Sequence, residues 1–230
     1  AAVRPMAVSA TLGLAFMEPD SLGILSKPYG PLEFYHLERT MPDFSFNYLS
    51  LSPKSSANLE DFINHVNSGQ VVCIAAMPAC DNTSLAANIA ATFALKHGRS
   101  TCYLSLDNRS EAIIKMLVNT VSGLTTDAFG EEILSGSEIT QLLTGARQLH
   151  DAPFYLIDDA ACHIDSLAES VRYLKKEHQV EIVFIDYLGL INSAYEGPDR
   201  NPQLLNHLQE IATNEKIAIV VLLQLDSYHG

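Results

Sequence analysis

Five short apolar runs, separated by stretches with helical periodicity, constrain the fold of this 230-residue chain more than any other feature. The runs are continuous rather than alternating, which is typical of strands that helices cover on both faces. Strands that alternate with helices predict right-handed crossovers and a mostly parallel α/β sheet. The expected core strands are residues 71–76, 101–106, 154–158, 181–186 and 217–223.

The stretch "SLAESVRYLKKEH" shows the helix signals of this chain most fully. Ser166 and Glu169 have the spacing of a capping box, which predicts that a helix begins there. The expected apolar face of this helix consists of Leu167, Val171 and Leu174. The basic cluster at 172–178 is expected to be a solvated helix face, because acidic residues lie close by.

Residues 1–52 differ from the rest of the chain, because their apolar runs are short and interrupted by Pro, Gly and Asp. Two or three edge strands are expected here, joined by turns at Pro28–Gly30 and Pro42–Asp43. The predicted organisation is therefore an N-terminal edge-strand segment, residues 1–52, followed by one α/β domain, residues 53–230.

The composition limits the classes of function. The chain has 27 acidic and 14 basic residues, and its net charge of −13 repels nucleic-acid phosphates. No apolar run reaches the roughly 18 residues that a membrane helix needs. The four cysteines lack metal-ligand spacing. We expect a cytoplasmic protein with no membrane partner and no nucleic-acid partner.

The stretch "VVCIAAMPACDNTSLAANIAATFALKHGRSTCYLSLD" resembles the nucleotide-binding half of DnaB-type replicative helicases. In that family an apolar strand precedes A-R-P-S-x-G-K-T-[ST], a helix, and a strand ending in S-L-E. The stretches "APFYLIDDA", "VEIVFIDYLGLI" and "LLNHLQEIATNEKIAIVVLLQL" resemble the second half of the family pattern. The likeness covers residues 69–225 and implies a RecA-like P-loop NTPase fold.

Under this resemblance, Ala76 to Ser84 corresponds to the phosphate-binding loop. Such a loop needs a Gly that admits phosphate to the backbone, a Lys for the β/γ charge, and a hydroxyl for magnesium. Here Asp81 stands at the Gly position and Asn82 at the Lys position, whereas Thr83 and Ser84 keep the hydroxyls. Losing a cation and adding an anion each cost on the order of 1–4 kcal/mol beside a polyphosphate. The resemblance therefore implies a degenerate loop.

Three further positions match the family site, and each has a structural alternative. Asp186 stands where the family holds magnesium, usually through water, but it is also explained as a strand-end turn carboxylate. Asp107 stands where the family has a water-activating Glu, but it is also explained as a loop acid or helix cap. Gln224 stands at a phosphate-sensing position, or is a buried amide with local bonds. Thr83 and Asp186 would be the metal residues if magnesium-nucleotide binds.

The family continues beyond this Gln with more strands and an arginine finger in K-x-R-x-G-P. Residues 37–42 faintly resemble that motif, which makes Arg39 the candidate finger. Two explanations account for this likeness: the chain is circularly permuted, or residues 1–52 are the tail of a preceding RecA-like unit. The third explanation is that residues 1–52 are an unrelated N-terminal extension. If these residues replace the missing strands, they are expected to pack beside 217–223.

The leading interpretation is a non-catalytic, degenerate member of the DnaB-type fold that binds no cofactor. It would be an interaction or scaffold subunit in replication or recombination, with protein partners or self-association through RecA-like edges. One alternative is an ATP-dependent DNA helicase with an atypical loop, which would use Mg-ATP and Asp107. A second is a nucleotide sensor without hydrolysis. Asp81 and Asn82 favour the non-catalytic interpretation.

Overall fold

The computed structural model describes residues 12–17, 46–51, 62–63, 66–76, 82–124 and 134–224. The strands are β1 (Leu12–Met17), β2 (Phe46–Leu51), β3 (Val71–Ala76), β4 (Thr101–Ser105), β5 (Phe154–Asp158), β6 (Ile182–Asp186) and β7 (Ala218–Gln224). The helices are α1 (Asn82–His97), α2 (Ser110–Ser122), α3 (Gly136–Asp151), α4 (Ile164–His178) and α5 (Arg200–Glu215), with a 3-10 turn at Leu188–Leu190.

The strands form a seven-stranded sheet in the order β2-β1-β3-β7-β6-β4-β5. Its five strands β3, β7, β6, β4 and β5 are neighbours and run parallel. These are the five strands expected from the apolar runs, with ends that differ from the expected ones by no more than one residue. The prediction of a mostly parallel α/β sheet is therefore confirmed.

Side chains that alternate along the central strands enter two separate cores. In β7, Ile219, Val221 and Leu223 pack into the core that contains α4 and α5. Ala218, Val220 and Leu222 pack into the opposite core, with α1 and α2. Because both faces of each central strand are covered, both sets of side chains must be apolar, which explains the continuous runs in the sequence.

The beginning of α4 was predicted wrongly. The helix starts at Ile164, and His163 is its N-cap, so Ser166 and Glu169 do not form a capping box. His163 is held there by a parallel bridge to Asn192, and the Ile164 N–H donates to the Asn192 carbonyl at 2.9 Å. This contact joins segments that are far apart in the sequence, so a local pattern does not reveal it. The predicted apolar face is confirmed, because Leu167, Val171 and Leu174 are buried.

The N-terminal strands form an edge of the sheet, as expected, but at a different place. β1 pairs antiparallel with β2 on one side and with β3 on the other. The expectation that they pack beside 217–223 is wrong, because β7 pairs with both β3 and β6 and has no free edge. The turns expected at Pro28–Gly30 and Pro42–Asp43 lie outside the described residues.

Two of the cysteines lie in core strands of the sheet. Cys73 in β3 and Cys102 in β4 are fully buried, and burial raises the pKa of both thiols to about 12. They therefore remain neutral and pack as small apolar side chains. None of the described helices combines the length and hydropathy that a bilayer crossing requires.

A close approach of α2 and α3 gives a test of the packing. A Cβ atom on Gly145 of α3 would contact the Ser122 hydroxyl and lie 2.9 Å from its backbone nitrogen. Gly145→Ala is therefore expected to lower the free energy of unfolding by about 1–3 kcal/mol, because backbone rather than a flexible side chain must move. Urea denaturation followed by circular dichroism measures this change.

Gly136→Ala is the matched control on the same helix, because no atom of another described residue packs within 4 Å of its Cβ position. It is expected to leave stability unchanged or to raise it by up to about 1 kcal/mol. Equal urea midpoints for the two variants would contradict the helix packing described here.

Candidate nucleotide site at the carboxyl ends of the strands

The residues predicted from the resemblance meet along one edge of the sheet. Ala76 at the end of β3 pairs with Gln224 at the end of β7. Ser105 at the end of β4 pairs with Asp186 at the end of β6, and Asp107 follows shortly after Ser105. In open parallel sheets, ligands bind outside the carboxyl ends of the strands. The topology therefore places the candidate site where this class of fold forms one.

Helix α1 begins directly at the candidate loop. Asn82 is its first residue, and Thr83 and Ser84 follow in the first turn, which contains no acidic residue. The N–H groups of a helix N-terminus favour an anion through the helix dipole. The Asn82 side chain adds no charge, and its Oδ1 is buried without a hydrogen-bond partner among the described residues. A phosphate, which only accepts hydrogen bonds, does not satisfy that oxygen.

Thr83 and Asp186, predicted as the metal pair, are brought together. The Thr83 hydroxyl donates to Asp186 Oδ2 at 2.8 Å, and the Asp186 residue is only 2% exposed. The same oxygen accepts a second hydrogen bond, from the Tyr103 hydroxyl, also at 2.8 Å. Tyr103 was not predicted as a site residue. The feature of the sequence that could have indicated it is a tyrosine, whose hydroxyl needs a partner when buried, inside the apolar run of β4.

Asp107 is an exposed loop acid and does not cap the following helix. It lies in a turn in which the Ser105 hydroxyl donates to the Asn108 carbonyl at 2.7 Å and accepts from the Asn108 N–H at 3.2 Å. The N-terminus of α2 is bound instead by Asp158 of β5, whose Oδ2 accepts from the Ser110 N–H at 2.9 Å. That hydrogen bond is the main cause of the lowered pKa of the Asp158 carboxyl.

The described residues fit magnesium-nucleotide poorly. Magnesium binds carboxylate oxygen at roughly 2.0–2.1 Å and demands near-octahedral geometry. Whether magnesium binds Asp186 Oδ2 directly or through a water that donates to this oxygen, it would compete with the hydroxyl of Thr83 or of Tyr103 for a lone pair. Across the described ranges, no group of three or more His, Cys, Asp or Glu side chains is arranged to hold a metal ion.

Three predicted features are not described at the level of side chains. The structure places Gln224 at the end of β7 by its backbone alone. Asp81 and Arg39 lie outside the described residues. The roles assigned to all three therefore remain predictions.

Sequence comparisons agree with this architecture. The family model described as DnaB-like helicase C terminal domain matches residues 53–228. A probable plasmid replicative DNA helicase of Chlamydia trachomatis is 30% identical over 160 residues, which are 68% of this chain and 35% of that protein. A replicative DNA helicase DnaB of Treponema pallidum is 25% identical over 170 residues, covering 73% of this chain and 39% of that protein. The chain thus spans little more than a third of these relatives.

Solved structures show the same fold. One, of a DnaB-like replicative helicase and its interactions with primase, matches with a TM-score of 0.61 and 22% identity, over 68% of this chain and 39% of that one. Another, of an ATPase domain, matches with a TM-score of 0.61 and 22% identity, over 68% of this chain and 57% of that one. Since the family model covers most of the sequence and the fold agrees with it, the chain belongs to the family of DnaB-like helicase C-terminal domains.

Proposed function

We propose that this chain is a non-catalytic member of the DnaB-like family that acts as an interaction subunit in DNA replication or recombination. The observation that carries the proposal is Asn82 at the first position of α1, where the family loop has Lys. The neighbouring Asp81 replaces the family Gly. Both changes act on the phosphate contacts, from which a nucleotide gains much of its binding energy.

The magnitudes favour loss of nucleotide binding. Removing the Lys charge and adding the Asp81 charge each cost on the order of 1–4 kcal/mol beside the phosphates. Together they correspond to several decades in dissociation constant, at about 1.4 kcal/mol per decade. The N-terminus of α1 contributes only about half an elementary charge, which does not offset both changes.

Protein contacts are the remaining way in which such a domain can act. The outer strands of the described sheet are β2 and β5. Ile157 in β5 is 36% exposed, and Tyr173 of the neighbouring helix α4 is 61% exposed. Large exposed apolar groups near a sheet edge are typical of interaction surfaces. One of the similar solved structures is of a DnaB-like replicative helicase and its interactions with primase. We therefore include protein partners of this kind as well as self-association in the proposal.

An ATP-dependent DNA helicase with an atypical loop is the second candidate. The names of the relatives favour it, since they are replicative DNA helicases. The contact between Thr83 and Asp186 also agrees with a magnesium site, because it brings the two candidate metal residues together. In that case Mg-ATP is the cofactor and Asp107 is the catalytic candidate. A sensor that binds nucleotide without hydrolysis differs from both in having affinity but no turnover.

Calorimetric titration with Mg-ATP tests the proposal. We expect a dissociation constant in the millimolar range or weaker, because the phosphates meet an anion and no cation in the loop. Restoring the family pair with Asp81→Gly and Asn82→Lys is expected to tighten binding at least about tenfold, the equivalent of 1.4 kcal/mol. Micromolar binding by the unmodified protein would overturn the proposal.

The control for this titration must reproduce the change of net charge away from the loop. Gln148→Lys with Asp151→Asn does so on exposed positions at the end of α3, next to the amino end of β5. We expect this variant to bind Mg-ATP as weakly as the unmodified protein. Equal gains in both double variants would show that bulk charge, rather than the loop chemistry, sets the affinity.

Binding of DNA gives an independent test. We expect no binding of fluorescent single-stranded DNA at about 150 mM salt, because the net charge is −13. Two cations of the basic cluster on α4 already form hydrogen bonds within the chain. Arg172 donates to the Glu215 side chain at 2.8 Å, and the Lys175 ammonium donates to the Glu215 backbone carbonyl. Anisotropy measures the affinity. A sub-micromolar dissociation constant that weakens steeply with salt would favour the helicase candidate.

A further inference from the structure

We propose that Tyr103 is a positioning residue whose hydroxyl fixes Asp186 beside Thr83 and keeps divalent cations from the Asp186 Oδ2 oxygen. The inference rests on the proposed non-catalytic function and deepens it, since it names a second reason why the site does not take up magnesium-nucleotide. It concerns residues of β4, β6 and α1 whose side chains the structure describes, and it does not depend on the loop before Asn82.

Two hydrogen bonds at Asp186 join β6 to β4 and to the first turn of α1. Asp186 Oδ2 accepts from Tyr103 Oη at 2.8 Å and from Thr83 Oγ1 at 2.8 Å. Tyr103 Oη also lies 3.4 Å from the Thr83 carbonyl oxygen. A carboxylate oxygen has two lone-pair directions, so two O–H donors saturate it. Hydrogen bonds to an ionised acceptor are about twice as strong as neutral ones, so this pair fixes the first turn of α1 to the end of β6.

The packing around the Tyr103 ring prevents the ring from rotating away from Asp186. It is fully buried, and it stacks on Phe184 of β6 with ring centroids 6.1 Å apart and planes at 17°. β4 itself lies between β5 and β6 in the sheet. A rotation that breaks the bond to Asp186 would carry the phenol into a packed core. The donor is therefore preorganised, whereas a water molecule at the same place can exchange.

Competition with a cation follows from this geometry. A cation bound directly needs a carboxylate lone pair at roughly 2.0–2.2 Å, and a cation held through water needs a lone pair that accepts from that water. At Oδ2 the phenol and the threonine use both lone pairs. Replacing the phenol with a phenyl ring frees one lone pair next to the Thr83 hydroxyl, itself an oxygen ligand. The buried carboxylate then loses one of its donors, which makes a cation a better partner for it.

Manganese binding without nucleotide is the test, measured on the full chain from the electron paramagnetic resonance signal of free Mn²⁺. Tyr103→Phe is expected to bind Mn²⁺ at least about tenfold more tightly than the unmodified protein, and Tyr103→Phe with Asp186→Asn is expected to lose that gain. Tyr155→Phe is the matched control: it removes a phenol from the next strand, where the ring centroid lies 4.6 Å from that of His178. No gain in Tyr103→Phe, or an equal gain in Tyr155→Phe, would overturn the proposal.

Hydrogen exchange tests the positioning role. Amides in the first two turns of α1 are expected to exchange at least about tenfold faster in Tyr103→Phe than in Tyr155→Phe, because α1 loses one of its ties to β6. Equal rates in the two variants would contradict that role.

A measurement on the unmodified protein covers the case in which Tyr103→Phe does not fold. The ¹³Cζ resonance of Tyr103 is expected to stay unbroadened by millimolar Mn²⁺, and broadening would overturn the exclusion of cations. Since none of these measurements uses nucleotide, tight ATP binding by the unmodified protein would overturn the proposed function alone. Failure of the Mn²⁺ results would overturn the role of Tyr103 alone.

Discussion

Burial of the parallel strands on both faces is the constraint on which the rest of the structure depends. Every residue of β6 is buried, and successive residues of β7 enter opposite cores. Such strands are stable only between two layers of helices, which requires a crossover helix between consecutive parallel strands. The crossovers bring all five carboxyl ends to one edge. The location of the candidate site is thus a consequence of how the sheet is covered.

Asp186 shows how stability and function are coupled at that edge. A buried carboxylate without donors is costly, by several kcal/mol in an apolar environment. The hydroxyls of Thr83 and Tyr103 offset that cost, and they use both lone-pair directions of one carboxylate oxygen. The same two hydrogen bonds therefore stabilise the junction of α1 with the sheet and limit the chemistry of the site.

Family membership and a changed loop are compatible because they rest on different residues. The fold is held by the buried face of α1, which contains Ala86, Ile89 and Phe93. Asn82 lies at the end of that helix and contributes little to the core, so it can differ from the family residue without loss of the fold. Function on a shared fold is set by the site and not by the architecture.

The amino-acid sequence by itself determined the five parallel strands, the helices between them and the apolar face of α4, because burial and helical periodicity act on neighbouring residues. The likeness to the family named Thr83 and Asp186 as metal residues if magnesium-nucleotide binds, whereas the hydrogen bond between them is seen only in the structure. Tertiary structure decided the rest. His163, the N-cap of α4, forms a bridge with the distant Asn192, and β1 pairs with β3 rather than with β7, which lies between β3 and β6. Tyr103 reaches Asp186 because β4 pairs with β6, and no local pattern states which strands become neighbours.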